Sequence, residues 1–157
     1  MRIIGIDPGT AIVGYGIVDY NGNESRLVTS GSIQTSKNLS DDKRLAEISH
    51  DLKEILDKYS PDMASVEKIF FFKNQKTVIS VAQSRGVILS VLAQNSVPVY
   101  EYTPMEIKLS VTGYGKASKN EVAEMVKKLI VCDYFPKLDD TADAIAMAVC
   151  HIRTGGV

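Results

Sequence analysis

The alternation of apolar and polar positions predicts that the chain opens with three β-strands. Residues 2–7 form a short apolar run, as expected of a strand buried on both faces, and a Pro-Gly-Thr turn at 8–10 ends it. A second strand is predicted over 12–20. The Asn-Gly pair at 21–22 favours a tight hairpin into a third strand near 25–34. The chain is therefore expected to begin with an antiparallel meander.

The apolar period changes from two to about 3.6 residues after Ser40, which predicts a helix there. This first helix carries one apolar stripe and is stopped by Pro61. The elements predicted next are a fourth strand over 62–67, a second helix over about 75–94 and a fifth strand over 97–102.

Two capping boxes mark the helices that follow. Thr103 precedes a proline and then Glu106, while Ser118 precedes Glu121 at the same spacing. A last helix is predicted from about 140 to 153. Because no repeat, linker or low-complexity tract interrupts the sequence, residues 1–157 are expected to form a single domain. The order of elements predicts an α/β fold, with a mixed five-stranded sheet and helices on both faces.

Composition says more about where the protein is located in the cell than about its function. The chain has 157 residues, 45% of them hydrophobic, which is enough for one sizeable core. The formal net charge of -1 does not indicate a nucleic-acid partner, so that interpretation depends on local clusters of basic residues. Cys132 and Cys150 lack a C-x-x-C spacing and are expected to be reduced core thiols. No stretch approaches the roughly 20 apolar residues of a membrane helix, so a cytoplasmic location without a membrane is predicted.

Four acidic residues stand where strands end or the last helix begins. Asp7 ends the first strand and Glu67 the fourth, while Asp140 and Asp143 are three apart and share one side of the last helix. Carboxylates that converge would repel one another unless divalent cations neutralised them. Two Mg²⁺ ions bound there could activate a water and stabilise the leaving oxygen of a phosphodiester. Each acid also has an ordinary explanation, as a turn residue, a solvated ion pair or a favourable charge at a helix N-terminus. Spacing alone does not show whether the four acids converge.

Several short motifs are spread along nearly the whole chain in a fixed order. They are Gly5–Thr10 with Gly14–Gly16, Glu67–Phe70, Ala82–Val87, Pro98–Tyr102, Lys108, Lys119 and Asp140–Ala144. Together, from residue 3 to about 151, they resemble the RuvC family of Holliday-junction resolvases, which have a ribonuclease-H-like fold. The slightly acidic net charge departs from this family, whose members are often clearly basic.

The resemblance implies a metal-dependent endonuclease of recombination and repair. Its implied metal site is Asp7, Glu67, Asp140 and Asp143, holding Mg²⁺, with Mn²⁺ as a substitute. Asp140 is preferred to its neighbour Asp139, because its three-residue step to Asp143 matches the family pattern. The implied partners are four-way junction DNA, a second copy of the chain and a branch-migration helicase complex. The resemblance also places two catalytic lysines, Lys108 and Lys119, beside the carboxylates.

Local charge indicates where DNA would lie. The basic residues from Lys68 to Arg85 have no acid among them, and Lys73, Lys76 and Arg85 are predicted DNA contacts. Lys116 is predicted to be another, because its glycine-rich loop leads into a helix N-terminus, a geometry that suits phosphate.

Two further residues receive a role from the resemblance. Phe70 lies in a run of aromatics that would ordinarily be core, and the resemblance implies that it stacks on an unpaired base at the junction centre. Gly86 lies inside the predicted second helix, where glycine lowers helix stability unless another helix crosses closely. The resemblance places the helix that carries Gly86 at the dimer interface.

Three other functions share some of these features. Phosphotransferases and ATPases of the actin and sugar-kinase type also open with Asp-x-Gly-Thr on a hairpin, but they need two such domains and 157 residues supply one. A non-catalytic junction-binding module would normally have lost a metal-binding acid. A ribonuclease acting on RNA–DNA hybrids shares the fold. The preferred prediction is an endonuclease that cuts four-way junctions by paired symmetric nicks.

Overall fold

The computed structural model describes residues 1–9, 11–68, 75–137 and 139–155, and for residues 75, 76, 139 and 140 it describes the backbone alone. The elements in chain order are β1 (Arg2–Asp7), β2 (Ile12–Tyr20), β3 (Ser25–Gln34), α1 (Asp41–Tyr59), β4 (Met63–Glu67), α2 (Gln75–Gln94), β5 (Val99–Tyr102), α3 (Pro104–Thr112), α4 (Lys119–Leu129), β6 (Ile130–Val131) and α5 (Asp139–Arg153). Every predicted helix and strand is present, with bounds shifted by two residues or fewer.

The strands form one mixed sheet in the order β5-β4-β1-β2-β3-β6. β1, β2 and β3 are the predicted antiparallel meander, and β4 and β5 add to it in parallel. The predicted count of five strands was wrong by one, since the described part of the chain has six. The extra strand, β6, joins the sheet through only two pairs, Ser25 with Ile130 and Arg26 with Val131. Two residues directly after a helix are too few to show an alternating pattern, so β6 depends on tertiary contact.

Helices cover both faces of the sheet, as predicted. Successive residues of β1 point to opposite faces, and Ile3 belongs to a core formed with α3, α4 and α5. Its neighbour Ile4 belongs to a second core formed with α1 and α2. The apolar run of β1 therefore reflects burial on both sides, which places this strand at the centre of the molecule.

α5 lies directly against the backbone of β1 and β2, because two glycines leave space for it. A Cβ atom added at Gly5 would stand 1.9 Å from the carbonyl oxygen of Ala144, and one added at Gly16 would stand 2.6 Å from Ile145 Cγ1. Both distances are shorter than real Cβ contacts. The close approach brings the first turns of α5 next to the end of β1.

The predicted helix ends agree with the structure in most details. Thr103 and Ser118 each accept a hydrogen bond from the backbone of the glutamate three residues later, and each glutamate accepts one in return, so both capping boxes are complete. These hydrogen bonds hold the pKa of Glu106 and of Glu121 below the ordinary value. Ser40 precedes α1 as predicted, but its side chain makes no capping hydrogen bond.

α2 differs from the expectation that no stretch resembles a membrane helix. Its window Thr77–Gln94 is long and apolar enough to cross a membrane by length and composition, and 22% of that window is buried. The buried residues are Ser84, Ile88, Val91 and Leu92, and the last three pack in the second core. The exposed positions of the window include Ile79, Ala82 and Gly86 together with polar residues such as Gln83 and Ser90.

The cysteine prediction is confirmed: both thiols are free, with Cys150 buried and Cys132 half-buried.

Candidate active site

A cleft of about 420 Å³ opens where β1 and β4 end. Its lining includes five of the residues that the sequence predicted for the site: Asp7, Glu67, Asp143, Lys108 and Lys119. The convergence that spacing alone left open is thus present for three of the four acids. The side chain of Asp140 lies outside the described part of the chain, so its predicted place in the site is untested.

Strand register explains why Asp7 and Glu67 meet. β1 and β4 are parallel and pair Ile6 with Val66, so the next residue of each strand is a carboxylate at the same edge of the sheet. Ile6 and Val66 point into the core under α1 and α2. The acids that follow them therefore point to the opposite face, toward α5.

Asp143 reaches the same cleft from α5. The hydroxyl of Ser65 on β4 donates a 2.8 Å hydrogen bond to the carbonyl oxygen of Met147, which fixes α5 against the strand that carries Glu67. Asp143 lies one helical turn before Met147 and also faces the cleft. Its side chain is 26% exposed, so a substrate or ion in the cleft can reach it.

The two predicted catalytic lysines come from α3 and α4. Lys119 is the first residue of α4, directly after the capping residue Ser118, and its Nζ lies 2.8 Å from Oδ2 of Asp143. Lys119 is itself 71% exposed, so its ammonium group is also open to solvent. Lys108 on α3 is half-buried in the cleft lining. Cationic and anionic groups are therefore close together in this cleft.

The chemistry of the lining fits a hard divalent cation. The three carboxylates supply the oxygen ligands that Mg²⁺ prefers, and no histidine or cysteine belongs to the described lining. Partial burial strengthens electrostatic interactions among these groups relative to bulk water. Such a site can bind a phosphodiester and its counter-ions together.

Comparison with known proteins identifies the family. Residues 3–151 match the family described as Crossover junction endodeoxyribonuclease RuvC. The chain belongs to this family. The RuvC protein of Fusobacterium nucleatum is 50% identical over 156 residues, which are 99% of this chain and 82% of that protein. The RuvC protein of Caldicellulosiruptor saccharolyticus is 46% identical over 153 residues, covering 97% of this chain and 92% of that protein.

A solved structure agrees in fold. T. thermophilus RuvC in complex with a Holliday junction substrate matches with a TM-score of 0.91 at 32% identity, covering 98% of this chain and 94% of that one. The predicted ribonuclease-H-like fold is thereby confirmed.

In this RuvC-family chain, α2 makes contacts at the cleft that sequence reasoning missed. The hydroxyl of Ser84, which is fully buried, donates a 2.7 Å hydrogen bond to the carbonyl oxygen of Gly9. Arg85 Nε donates at 3.3 Å to the carbonyl oxygen of Glu67, and the Arg85 guanidinium forms an ion pair with Glu101 on β5. Burial lowers the pKa of Arg85, whose side chain is only 18% exposed. The described contacts of Arg85 are thus with protein, and its predicted contact with DNA is untested.

The other predicted DNA contacts are tested only in part. Lys116 is exposed in the loop between α3 and α4, where Gly113 adopts φ +79° and caps α3. Phe70 and Lys73 lie outside the described residues, as does the side chain of Lys76. The role of Phe70 stays a prediction of the family resemblance, and the roles of Lys73 and Lys76 stay predictions from local charge.

The histidines lie away from the described cleft lining. His151 is buried, with Nδ1 2.7 Å from the hydroxyl of Tyr102. His50 on α1 is exposed, and together with Asp51 and Glu54 it forms a group whose ligand atoms lie within 4.8 Å of one another. Exposed groups of this kind are common without a metal, and nothing else at α1 indicates one.

Proposed function

We propose that this protein is a metal-dependent endonuclease that resolves four-way DNA junctions by paired symmetric nicks, in homologous recombination and DNA repair. One observation carries the proposal: in a chain of the RuvC family, Asp7, Glu67 and Asp143 come from three separate elements to one cleft. The T. thermophilus relative is described in complex with a Holliday junction substrate, which supports the same substrate class here.

The acids are assigned to metal binding. Asp7, Glu67 and Asp143, with Asp140 from the first turn of α5, would hold Mg²⁺, with Mn²⁺ as a substitute and two ions per site. Bound divalent ions supply an activated water and a stabilised leaving oxygen for phosphodiester hydrolysis. The donor set supports this assignment, because carboxylate oxygens that converge in a half-buried cleft gain most from a cation of high charge.

The lysines are assigned to the phosphate. Lys119 already contacts Asp143, and its exposed ammonium group can turn to a phosphate oxygen when DNA enters the cleft. Lys108, half-buried beside the acids, would stabilise negative charge that develops on the scissile phosphate. Lys116, from its loop, and Lys73, Lys76 and Arg85, from local charge, would neutralise phosphates along the DNA arms. By resemblance, Phe70 would stack at the junction centre.

A homodimer is proposed through the outward face of α2. Ile79 is 71% exposed, and a Cβ added at Gly86 would meet no atom within 4 Å. Apolar and small residues that the described part of the chain leaves exposed on a helix are typical of a surface that a partner buries. A two-fold dimer also places two cleavage sites symmetrically, as paired nicks require. Sedimentation should give twice the monomer mass, and an Ile79→Glu variant should sediment as a monomer; a monomeric parent protein would contradict the dimer.

Three further assignments rest on the family and on the sequence. They are a branch-migration helicase complex as partner, a cytoplasmic location without membrane attachment, and a single domain over 1–157. The single domain is supported by the sheet, because its two faces carry both cores.

Cleavage of a defined set of substrates tests the proposed function. The protein should nick a synthetic four-way junction in the presence of Mg²⁺, at matched positions in two strands of like polarity. A linear duplex of the same sequence and an RNA–DNA hybrid should stay intact. Cleavage of the hybrid would assign the protein to another branch of the fold, and tight junction binding without cleavage would favour a binding module.

A further inference from the structure

Two consecutive residues of α2 donate hydrogen bonds to backbone carbonyl oxygens at or just beyond the ends of β1 and β4. Ser84 donates to the carbonyl oxygen of Gly9, two residues beyond Asp7, at 2.7 Å. Arg85 donates to the carbonyl oxygen of Glu67 itself at 3.3 Å. One rigid helix therefore contacts the backbone next to two of the acids that line the cleft.

These contacts lie where regular pairing within the sheet stops. β1 ends at Asp7 and β4 ends at Glu67, and beyond Glu67 the N–H of Lys68 still donates to the carbonyl oxygen of Tyr102 at 2.9 Å. The side-chain donors of α2 therefore add to the backbone bonds that place the two strand ends. Adjacent residues on one helix keep a nearly constant separation, because the helix backbone is held by its own hydrogen bonds. The distance between the two strand ends is then set by α2 as well as by the sheet.

Arg85 extends the arrangement to a third strand. Its guanidinium forms an ion pair with Glu101 on β5, and both side chains are partly or largely buried. A guanidinium that is largely removed from water needs such a partner, and it has donors left for a carbonyl oxygen. The ends of β1, β4 and β5 are thus connected to one turn of α2.

We propose that Ser84 and Arg85 are positioning residues that set the separation of the Asp7 and Glu67 carboxylates, and through it the affinity of the cleft for divalent metal. The proposal rests on the proposed function in taking these two acids as metal ligands. A displacement of about 1 Å in a catalytic geometry can cost about 100-fold in rate, so modest movement at either strand end would be measurable.

The variants separate positioning from packing. Ser84→Ala removes the bond to Gly9 with little change in volume. Ser80→Ala is the matched control, because the Ser80 hydroxyl donates to Thr77 within the same helix at 3.0 Å. Arg85→Met paired with Glu101→Gln removes both charges together, so no unpaired buried charge remains to destabilise the fold.

Metal binding is measured first, without DNA, by titrating Mn²⁺ into the full-length protein in a calorimeter. Junction nicking is then measured as a function of Mg²⁺ concentration, with junction affinity and melting temperature recorded for each variant. Ser84→Ala should raise the dissociation constant for Mn²⁺ and lower the nicking rate, each by about tenfold, while junction affinity stays unchanged. High Mg²⁺ should restore part of the rate. The double variant should show the same metal defect at near-parental melting temperature.

The outcomes distinguish this inference from the proposed function. Parental metal affinity and rate in Ser84→Ala and in the double variant would overturn the positioning role, although the parent still cuts junctions. Rate losses that follow melting temperature, with metal affinity unchanged, would also overturn it by showing a purely structural role. A parent protein that binds no Mn²⁺ and cuts no junction would overturn both proposals.

Discussion

Gly5→Ala should damage the fold and the active site together. Gly5 lies in β1, two residues before Asp7, and α5 crosses directly above it. The added methyl group would stand 1.9 Å from the carbonyl oxygen of Ala144 and 2.8 Å from the backbone nitrogen of Ala148. Both are backbone atoms, so no side-chain rotation can relieve the clash.

The geometry gives the size of the effect. Ordinary contact begins at 3.4 Å, so the turn of α5 above Gly5 must move by about 1.5 Å, the difference from 1.9 Å. Overpacking of this kind costs about 1–3 kcal/mol, which lowers the melting temperature of a chain this size by roughly 2–12 °C. Asp143 precedes Ala144 and moves with it, while Asp7 stays on β1. A shift of this order between two catalytic groups predicts a rate loss of about 100-fold.

Gly31→Ala is the matched control, because the three atoms nearest to its added methyl group all belong to the end of the Tyr15 side chain, with Oη at 2.8 Å, and that ring can turn aside. Thermal unfolding and junction nicking are measured on both variants and on the parent. The control should stay close to the parent in both assays. If Gly5→Ala melts and nicks like the parent, the reasoning that α5 rests on the backbone of β1 is refuted.

Three further predictions concern charge and burial. Lys119→Met removes the ion pair with Asp143 and should slow nicking by about 100-fold with only a small loss of junction affinity; an unchanged rate in a gel assay would contradict its role. The hydrogen bond from Arg2 holds the pKa of Asp19 below its ordinary value of 3.8. The ionised carboxylate therefore stabilises the fold above pH 3.8, and this stabilisation is lost as the pH falls through the lower pKa of the folded state. Urea unfolding from pH 6 to 3 should therefore show a shallower acid loss for Asp19→Asn, and a parallel curve would contradict the pairing. Burial raises the pKa of the Cys150 thiol, so a thiol reagent at pH 8 should label its peptide only slowly until denaturant is added; fast labelling in the native protein would contradict its burial.

Local sequence patterns were sufficient for most of the fold. The meander, the capping boxes at Thr103 and Ser118 and the helix stop near Pro61 each depend on residues close together in sequence. β6 could not be predicted, because its place in the sheet depends on contact with the start of β3. The predicted start of β5 at residue 97 was two residues early. Ser96 adopts φ +57°, and pairing with β4 begins only at Val99.

Part of the candidate site could likewise be predicted from local sequence, and part depends on tertiary packing. Strand ends at Asp7 and Glu67 could be predicted because both acids follow short apolar runs in parallel strands. That Asp143 joins them depends on how closely α5 approaches the sheet, which follows from its packing over Gly5 and Gly16. Arg85 shows what charge patterns leave out: its predicted DNA contact is untested, while its contacts with protein groups on β4 and β5 could not be read from local charge.

Comparing Asp7→Asn with Asp51→Asn on a four-way junction tests the central claim most directly. Both changes remove one carboxylate charge, the first from the cleft and the second from the exposed acidic group on α1. With Mg²⁺ present, Asp7→Asn should bind the junction as tightly as the parent and make no nicks, while Asp51→Asn should nick at the parental rate. Nicking by Asp7→Asn, or its loss in Asp51→Asn, would contradict the assignment of metal-dependent cleavage to this cleft.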